Sequence, residues 1–309
     1  MARKLRIQYE GAVYHVMSRG DRRESIFLDD ADRRDFIEAL GQACERCGWR
    51  IHAYVLMVNH FHLALETPRA NLVDGMKWLL GTYTTRFNRR HGLTGHLFGG
   101  RYKAIPVEAG NDEYFSTLCT YIHLNPARAQ ALPPSKPLHD YPWSSWPAYL
   151  AARAKRPAWL ETKRFAGAIA NAPDSLAGRR QLAAWMEARR TKEQTTAYQP
   201  LRRGWYWGDE AFRKSLLDRI SEQRGPTHGG IELRESETAR AGEIIREEVL
   251  RREWKADDLP MRPKGDPEKV EIARRLRRET NVPVRWIAEQ LHMGTPSYAS
   301  YLLWQANSK

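Results

Sequence analysis

An α+β fold with a mostly antiparallel sheet covered by helices, followed by an all-helical C-terminal region, is the fold class this sequence predicts. Three observations carry the prediction. Strand-like and helix-like stretches follow one another over the first 125 residues as strand, helix, strand pair, helix, strand, helix. The stretch "RIHAYVLMVNHFHLALE" has no helical period and reads as two short strands, 50–57 and 60–66, joined near Val58–Asn59. Beyond residue 157 the chain reads as helical, with clear start signals near its end.

Each element has its own reason. "AVYHVM" (12–17) is the first strand, and the polar turn "SRGDRRES" follows it. A helix begins near Asp29–Asp32, where acidic residues crowd the first turn, and runs to Cys47. Phe36, Leu40, Cys44 and Cys47 recur along it at helical spacing. A second helix covers roughly 70–91, with Leu72, Met76, Leu79, Leu80, Tyr83 and Phe87 on one face. Its basic end suits the helix dipole. "RYKAIPVE" is a further strand. Asn111 caps a third helix, with Asp112 and Glu113 in its first turn, that runs until Pro126. The stretch "ALPPSKPLHDYPWSSWPAY", rich in Pro and Trp, wraps the domain edge. The expected domains are 1–156, a basic helical region 157–230, and a helical region 231–309, with a break at "RGPTHGG".

With 42% hydrophobic and 28% charged residues, the composition describes a soluble globular protein. No apolar run approaches the ~20 residues that span a bilayer, and "MARKLRIQYEGAVYHV" lacks a signal-peptide core. Three scattered cysteines point to a reducing cytoplasm. Cys44 and Cys47 form a C-x-x-C, but without a second pair they read as buried thiols. The net charge of +13 implies a polyanionic partner, nucleic acid by default. Residues 1–156 carry +7 of it, 157–230 carry +5 and 231–309 only +1. The long-range field therefore belongs to the first two regions.

"NHFHL" places His60 and His62 on one face of a strand, with Phe61, Leu63 and Leu65 on the other. Two imidazoles sharing a face suit a metal, but they equally suit a hydrogen-bonded pair on a sheet surface. In "YIHLN", Tyr121 and Asn125 are four residues apart and share a helical face. An Asn carboxamide is a hard ligand suited to Mg²⁺ or Mn²⁺. Tyr121 alone would pass for an ordinary half-buried aromatic.

Together, "NHFHL", "YIHLNPARA", "YHVMSRGDRRESIF", "GRYKAIPVE" and "YPWSSWPAY" resemble the REP-associated tyrosine transposases over about residues 7–150. These are single-tyrosine HUH endonucleases related to the insertion-sequence Y1 transposases. The resemblance implies a ferredoxin-like core that cleaves single-stranded, hairpin-forming DNA. It implies that His60 and His62 bind a divalent metal, with Asn125 as a further ligand, and that Tyr121 is the nucleophile. Tyr114, two turns earlier, is the rival. Val58 departs from the proline common in relatives, which affects the hairpin more than the chemistry. Neutral imidazoles are needed for metal, so binding should weaken as pH falls through about 6.5. A basic strip of Arg19, Arg22, Arg23, Arg86, Arg89, Arg90, Arg101 and Lys103 is the predicted groove for the strand.

Near the end, Asp266 caps a helix with Pro267 at its first position, a short helix follows, and Thr295–Pro296 opens another. This resembles a helix-turn-helix over about 266–304, whose recognition helix exposes Ser297, Tyr298 and Ser300. A helical hairpin used only for packing is the plainer reading. Two further functions compete with transposition: a non-catalytic DNA-binding regulator, and a rolling-circle initiator or relaxase. The expected location is cytoplasmic and nucleoid-associated, with no membrane partner. Monomer and homodimer both remain open.

Overall fold

The computed structural model describes residues 6–191, 204–222, 231–255, 257–280 and 282–307. The break expected at "RGPTHGG" lies outside them. The chain forms two compact units, one spanning Arg6–Arg213 and the other made chiefly of Lys214–Lys309.

The larger unit is built on four strands: β1 (Ala12–Arg19), β2 (Arg50–Met57), β3 (His60–Thr67) and β4 (Lys103–Val107). Their order in the sheet is β2-β3-β1-β4, and every neighbouring pair is antiparallel. Helix α1 (Asp30–Cys47) connects β1 to β2, and α2 (Leu72–His91) connects β3 to β4. Such a βαββαβ order with β1 and β3 at the centre is the split, ferredoxin-like arrangement. Helices α3 (Asp112–His123), the single turn α4 (Asn125–Arg128) and α5 (Trp146–Leu150) follow. Then come α6 (Lys163–Ala170) and α7 (Leu176–Thr191).

Strand parity separates two cores. Tyr14, Val16, Leu56, Phe61, Leu63 and Leu65 point to one face, where Phe36, Leu40, Met76, Leu79 and Tyr83 of α1 and α2 bury them. Val13, Ala53, Val55 and Ala64 point to the other, against Phe115, Leu118 and Ile122 of α3. Phe165 of α6 and Leu182 and Met186 of α7 belong to this second cluster. The helix ends follow local chemistry. Asp29 accepts from the Ala31 and Asp32 amides, Asp32 returns the bond to the Asp29 amide, and Gly48 (φ 70°) takes the left-handed closing position. Cys44 and Cys47 are buried in the first core, and burial pushes the Cys44 thiol up to about 12.

Both edges of the sheet are covered by later chain. Along β2, the Leu56 amide donates to Trp143 O (2.8 Å) and the Ser145 amide to Tyr54 O (2.9 Å). Tyr141 Oη donates to Leu56 O at 2.7 Å. The stretch "YPWSSW" thus wraps an edge, as its composition suggested. Along β4, Trp207 N donates to Pro106 O and Glu108 N to Trp207 O, at 2.9 and 2.8 Å.

His123 sits wholly inside, its Nε2 2.8 Å from Ser145 Oγ, and desolvation drives its pKa down to about 3. The unfolded chain protonates this residue near 6.5. Between about pH 6.5 and about 3 the unfolded state therefore binds more protons. Stability is lost as pH falls through that window, by about 1.4 kcal/mol per pH unit. Thermal denaturation across this range should show a shallower acid loss in His123→Asn than in the parent; equal slopes would place the acid sensitivity elsewhere.

Helix α8 (Glu210–Glu222) leads on to the terminal helices. The second unit contains α9 (Ile231–Arg251), α10 (Asp258–Met261), α11 (Pro267–Glu279), α12 (Val284–Gln290) and α13 (Pro296–Asn307). Asp266 caps α11 by accepting from the Glu268 amide at 2.8 Å, with Pro267 at the first position. Ile272, Leu276, Ile287, Leu291 and Leu303 share one core. Gly294 (φ 85°) turns the chain between α12 and α13, where Thr295 Oγ1 accepts from the Tyr298 amide at 3.2 Å. No described helix is long and apolar enough to cross a membrane.

Candidate active site

At the C-terminal end of β1, an open cavity forms between the sheet and the α3–α4 junction. Arg19, His60, His62, Arg101, Lys103, Tyr121, Asn125 and Arg128 line it. Its lining includes four cationic side chains and no carboxylate, which is the electrostatics of a phosphate site.

The sheet register explains how the imidazoles meet. His62 lies across from Met17 and His60 across from Arg19, so His15 is the diagonal neighbour of His62 on the α3 face. His15 Nε2 and His62 Nδ1 are 2.9 Å apart, and the two rings stack at 5.0 Å. Both rings meet Tyr121 edge-on, at 5.4 Å for His15 and 5.7 Å for His62. His60 stands perpendicular to His62 at 5.1 Å.

The tautomer of His60 follows from its neighbour. Asn59 Nδ2 donates to Arg23 O (3.0 Å), which leaves Asn59 Oδ1 to accept from His60 Nδ1 (2.8 Å). The lone pair of His60 is therefore on Nε2. Burial, and next the charge of Arg19, pull the His60 pKa down to about 4. Burial likewise holds His62 well below its ordinary value, with His15 and His60 adding to the effect. Both are neutral at pH 7, as metal ligands must be.

Tyr121 comes from the last turn of α3 and is nearly buried (5% exposed). The helix breaks at Leu124, and Pro126 restarts it as α4. Asn125, four residues on, therefore reaches the same cavity as Tyr121. Arg128 folds back from α4. Its guanidinium lies 4.0 Å from the centre of the Tyr121 ring and also donates to the Tyr121 carbonyl. Tyr114 does not line the cavity; it packs edge-on against Trp207.

The predicted residues thus divide. His60, His62, Tyr121, Asn125, Arg19, Arg101 and Lys103 are brought together. Arg86 instead pairs with Asp35 and Gln42 of α1 (3.0 and 2.8 Å), and Arg90 with Asp29 and Asp32, on the helix face of the first core. Arg89 is exposed near the end of the same helix. Arg22 and Arg23 sit in left-handed backbone (φ 49° and 67°) in the loop that covers the β2–β3 turn. Ser297, Tyr298 and Ser300 lie exposed on α13 in the second unit. Sequence reasoning assigned no role to His15 or Arg128. His15 required the β1–β3 register, whereas Arg128 was signalled by its spacing of two helical turns from Tyr121.

Among the described residues no three His, Cys, Asp or Glu side chains are grouped to hold a metal. A site built on two histidines here needs a donor of another type, and the Asn125 carboxamide in the same cavity supplies one. The donor set fits a divalent ion that accepts mixed nitrogen and oxygen ligands.

Residues 8–125 match the family model described as transposase IS200 like, which bears out the resemblance of this segment. No curated protein matches the chain. Among solved structures the chain is similar to a REP-associated tyrosine transposase bound to a REP hairpin. The identity is 17%, over 53% of this chain and 93% of that one, with a TM-score of 0.41.

Proposed function

We propose that this chain is a metal-dependent, site-specific single-strand DNA endonuclease and strand-transferase that acts on hairpin-forming repeats. One observation supports this most: a phenol, two neutral imidazoles, a carboxamide and four cations share one cavity within one chain. The Tyr121 hydroxyl oxygen attacks the scissile phosphorus, and the bond to the 3′ oxygen breaks. The phenol proton is released and the departing oxygen takes one up, which leaves a 3′-hydroxyl and a 5′-phosphotyrosine. One phosphodiester replaces another, so the reverse step can join strands.

His60, His62 and Asn125 would hold a Mg²⁺ or Mn²⁺, which when bound neutralises charge on the scissile phosphate. With Nε2 on the ion, His62 would donate from Nδ1 to His15 Nε2, which makes His15 the partner that would orient its ring. Arg128 holds the Tyr121 ring and adds positive charge over its face. Arg19, Arg101 and Lys103, in the same cavity, would hold the phosphates of the strand.

Incubation with labelled single-stranded hairpin DNA and Mn²⁺ should produce a protein–DNA adduct that survives denaturation. Tight binding without an adduct would instead favour a non-catalytic DNA-binding regulator.

Every proposed catalytic residue lies in the larger unit. A fragment ending at Arg213 keeps Phe165, Leu182 and Met186 in the α3 core and Trp207 on β4. It should still nick a short single strand, with weaker binding. A folded fragment that cannot cleave at any DNA concentration would assign the second unit a part in the chemistry.

A further inference from the structure

Helix α13 in the second unit carries an aromatic ridge. Tyr298, Tyr301 and Trp304 recur every third residue and are 42%, 52% and 66% exposed. The opposite face of the helix, with Ala299 and Leu303, already fills the core beside Ile287 and Leu291. The ridge therefore lies outside that core, and a contiguous exposed apolar strip marks a binding surface. The rings follow one another along the helix, the first pair stacked and the second tilted. Tyr298 and Tyr301 lie 6.5 Å apart at 23°, and Tyr301 and Trp304 lie 6.4 Å apart at 32°. These spacings are close to twice the ~3.4 Å rise of stacked bases.

Beside the ridge is a basic wall. Arg274, Arg277 and Arg278 of α11 line one open cavity together with Ser300 and Trp304. Arg278 pairs with Glu279, while Arg274 and Arg277 make no ion pair among the described residues. No carboxylate lines the cavity. A net charge of only +1 over 231–309 thus conceals a local concentration of positive charge.

We propose that this face binds single-stranded DNA, with bases stacked on Tyr298, Tyr301 and Trp304 and phosphates held by Arg274, Arg277 and Arg278. Unpaired bases expose the π-faces that such rings accept, whereas a duplex hides them. A second copy of the chain is a poorer occupant, because it would bring two arginine walls together without a counter-charge. The choice of DNA over RNA rests on the proposed catalytic reading.

The test uses the full chain and an oligothymidylate carrying 5-iodo-2′-deoxyuridine. Irradiation should cross-link Tyr301 or Trp304, as read by mass spectrometry. Fluorescence anisotropy should show the Tyr301→Ala/Trp304→Ala variant binding the single strand at least about tenfold more weakly, with a smaller change for a duplex of the same length. Tyr301→Phe/Trp304→Phe, which keeps the stacking surface, should bind like the parent. Unchanged affinity with no α13 adduct overturns the proposal. An equal loss for duplex overturns it in favour of a groove-reading helix. Self-association that the alanine variant abolishes, with DNA binding intact, overturns it in favour of a second copy. Absence of a Tyr121 adduct would refute the catalytic reading alone, so the two failures are distinguishable.

Discussion

Tyr121→Phe is expected to reduce strand cleavage to background, a loss of roughly 10³-fold or more. The substitution removes only the phenolic oxygen and keeps the ring, so the edge contacts to His15 and His62 and the Arg128 contact survive. Stability should change little. DNA binding should persist, because the cavity cations supply it. No covalent adduct should form. Peptide mapping of the parent adduct should identify Tyr121; a DNA-linked Tyr114, or full activity in the variant, would refute the assignment. Cleavage without any adduct would point to water as the attacking group.

His60→Ala and His62→Ala are each expected to abolish measurable Mn²⁺ binding in calorimetric titration. The loss should exceed the roughly 10–100-fold that removal of a supporting group typically costs. Cleavage should fall with it, while single-strand binding remains. The pH dependence differs from what the sequence alone suggested. Burial and Arg19 hold His60 near 4 rather than 6.5, so Mn²⁺ binding should persist through pH 6 and weaken only as pH approaches about 4. Retained Mn²⁺ binding in both variants would leave His60 and His62 as side chains bonded to Asn59 and His15, with no metal role.

Much of the architecture was legible because local rules agreed with the tertiary ones. Asp29, Asn111 and Asp266 each cap the helix they precede. The alternation in "NHFHLALE" sorted His60 and His62 from Phe61, Leu63 and Leu65 correctly, since parity in a strand is fixed by the pleat. What depends on pairing between distant segments was not legible. Arg86 and Arg90 are as basic as Arg101, yet carboxylates on α1 engage them, and no local signal announces such a partner. His15 acquires its neighbour only through strand register. "GWYWG" gave no sign that Trp207 would pair with β4, because an edge contact has no period of its own.

The order in which the ribosome delivers those edge contacts has a consequence. All four strands have been synthesised once residue 107 emerges, but β2 waits for residue 145 and β4 for residue 207. At ~5–20 residues per second, roughly 5–20 s separate the end of β4 from its cover. During that interval the nascent sheet has a bare margin that could capture a neighbouring chain on the same message. Pro106, the penultimate residue of β4, has no N–H to offer, so it weakens that margin as a template while leaving its carbonyl for Trp207.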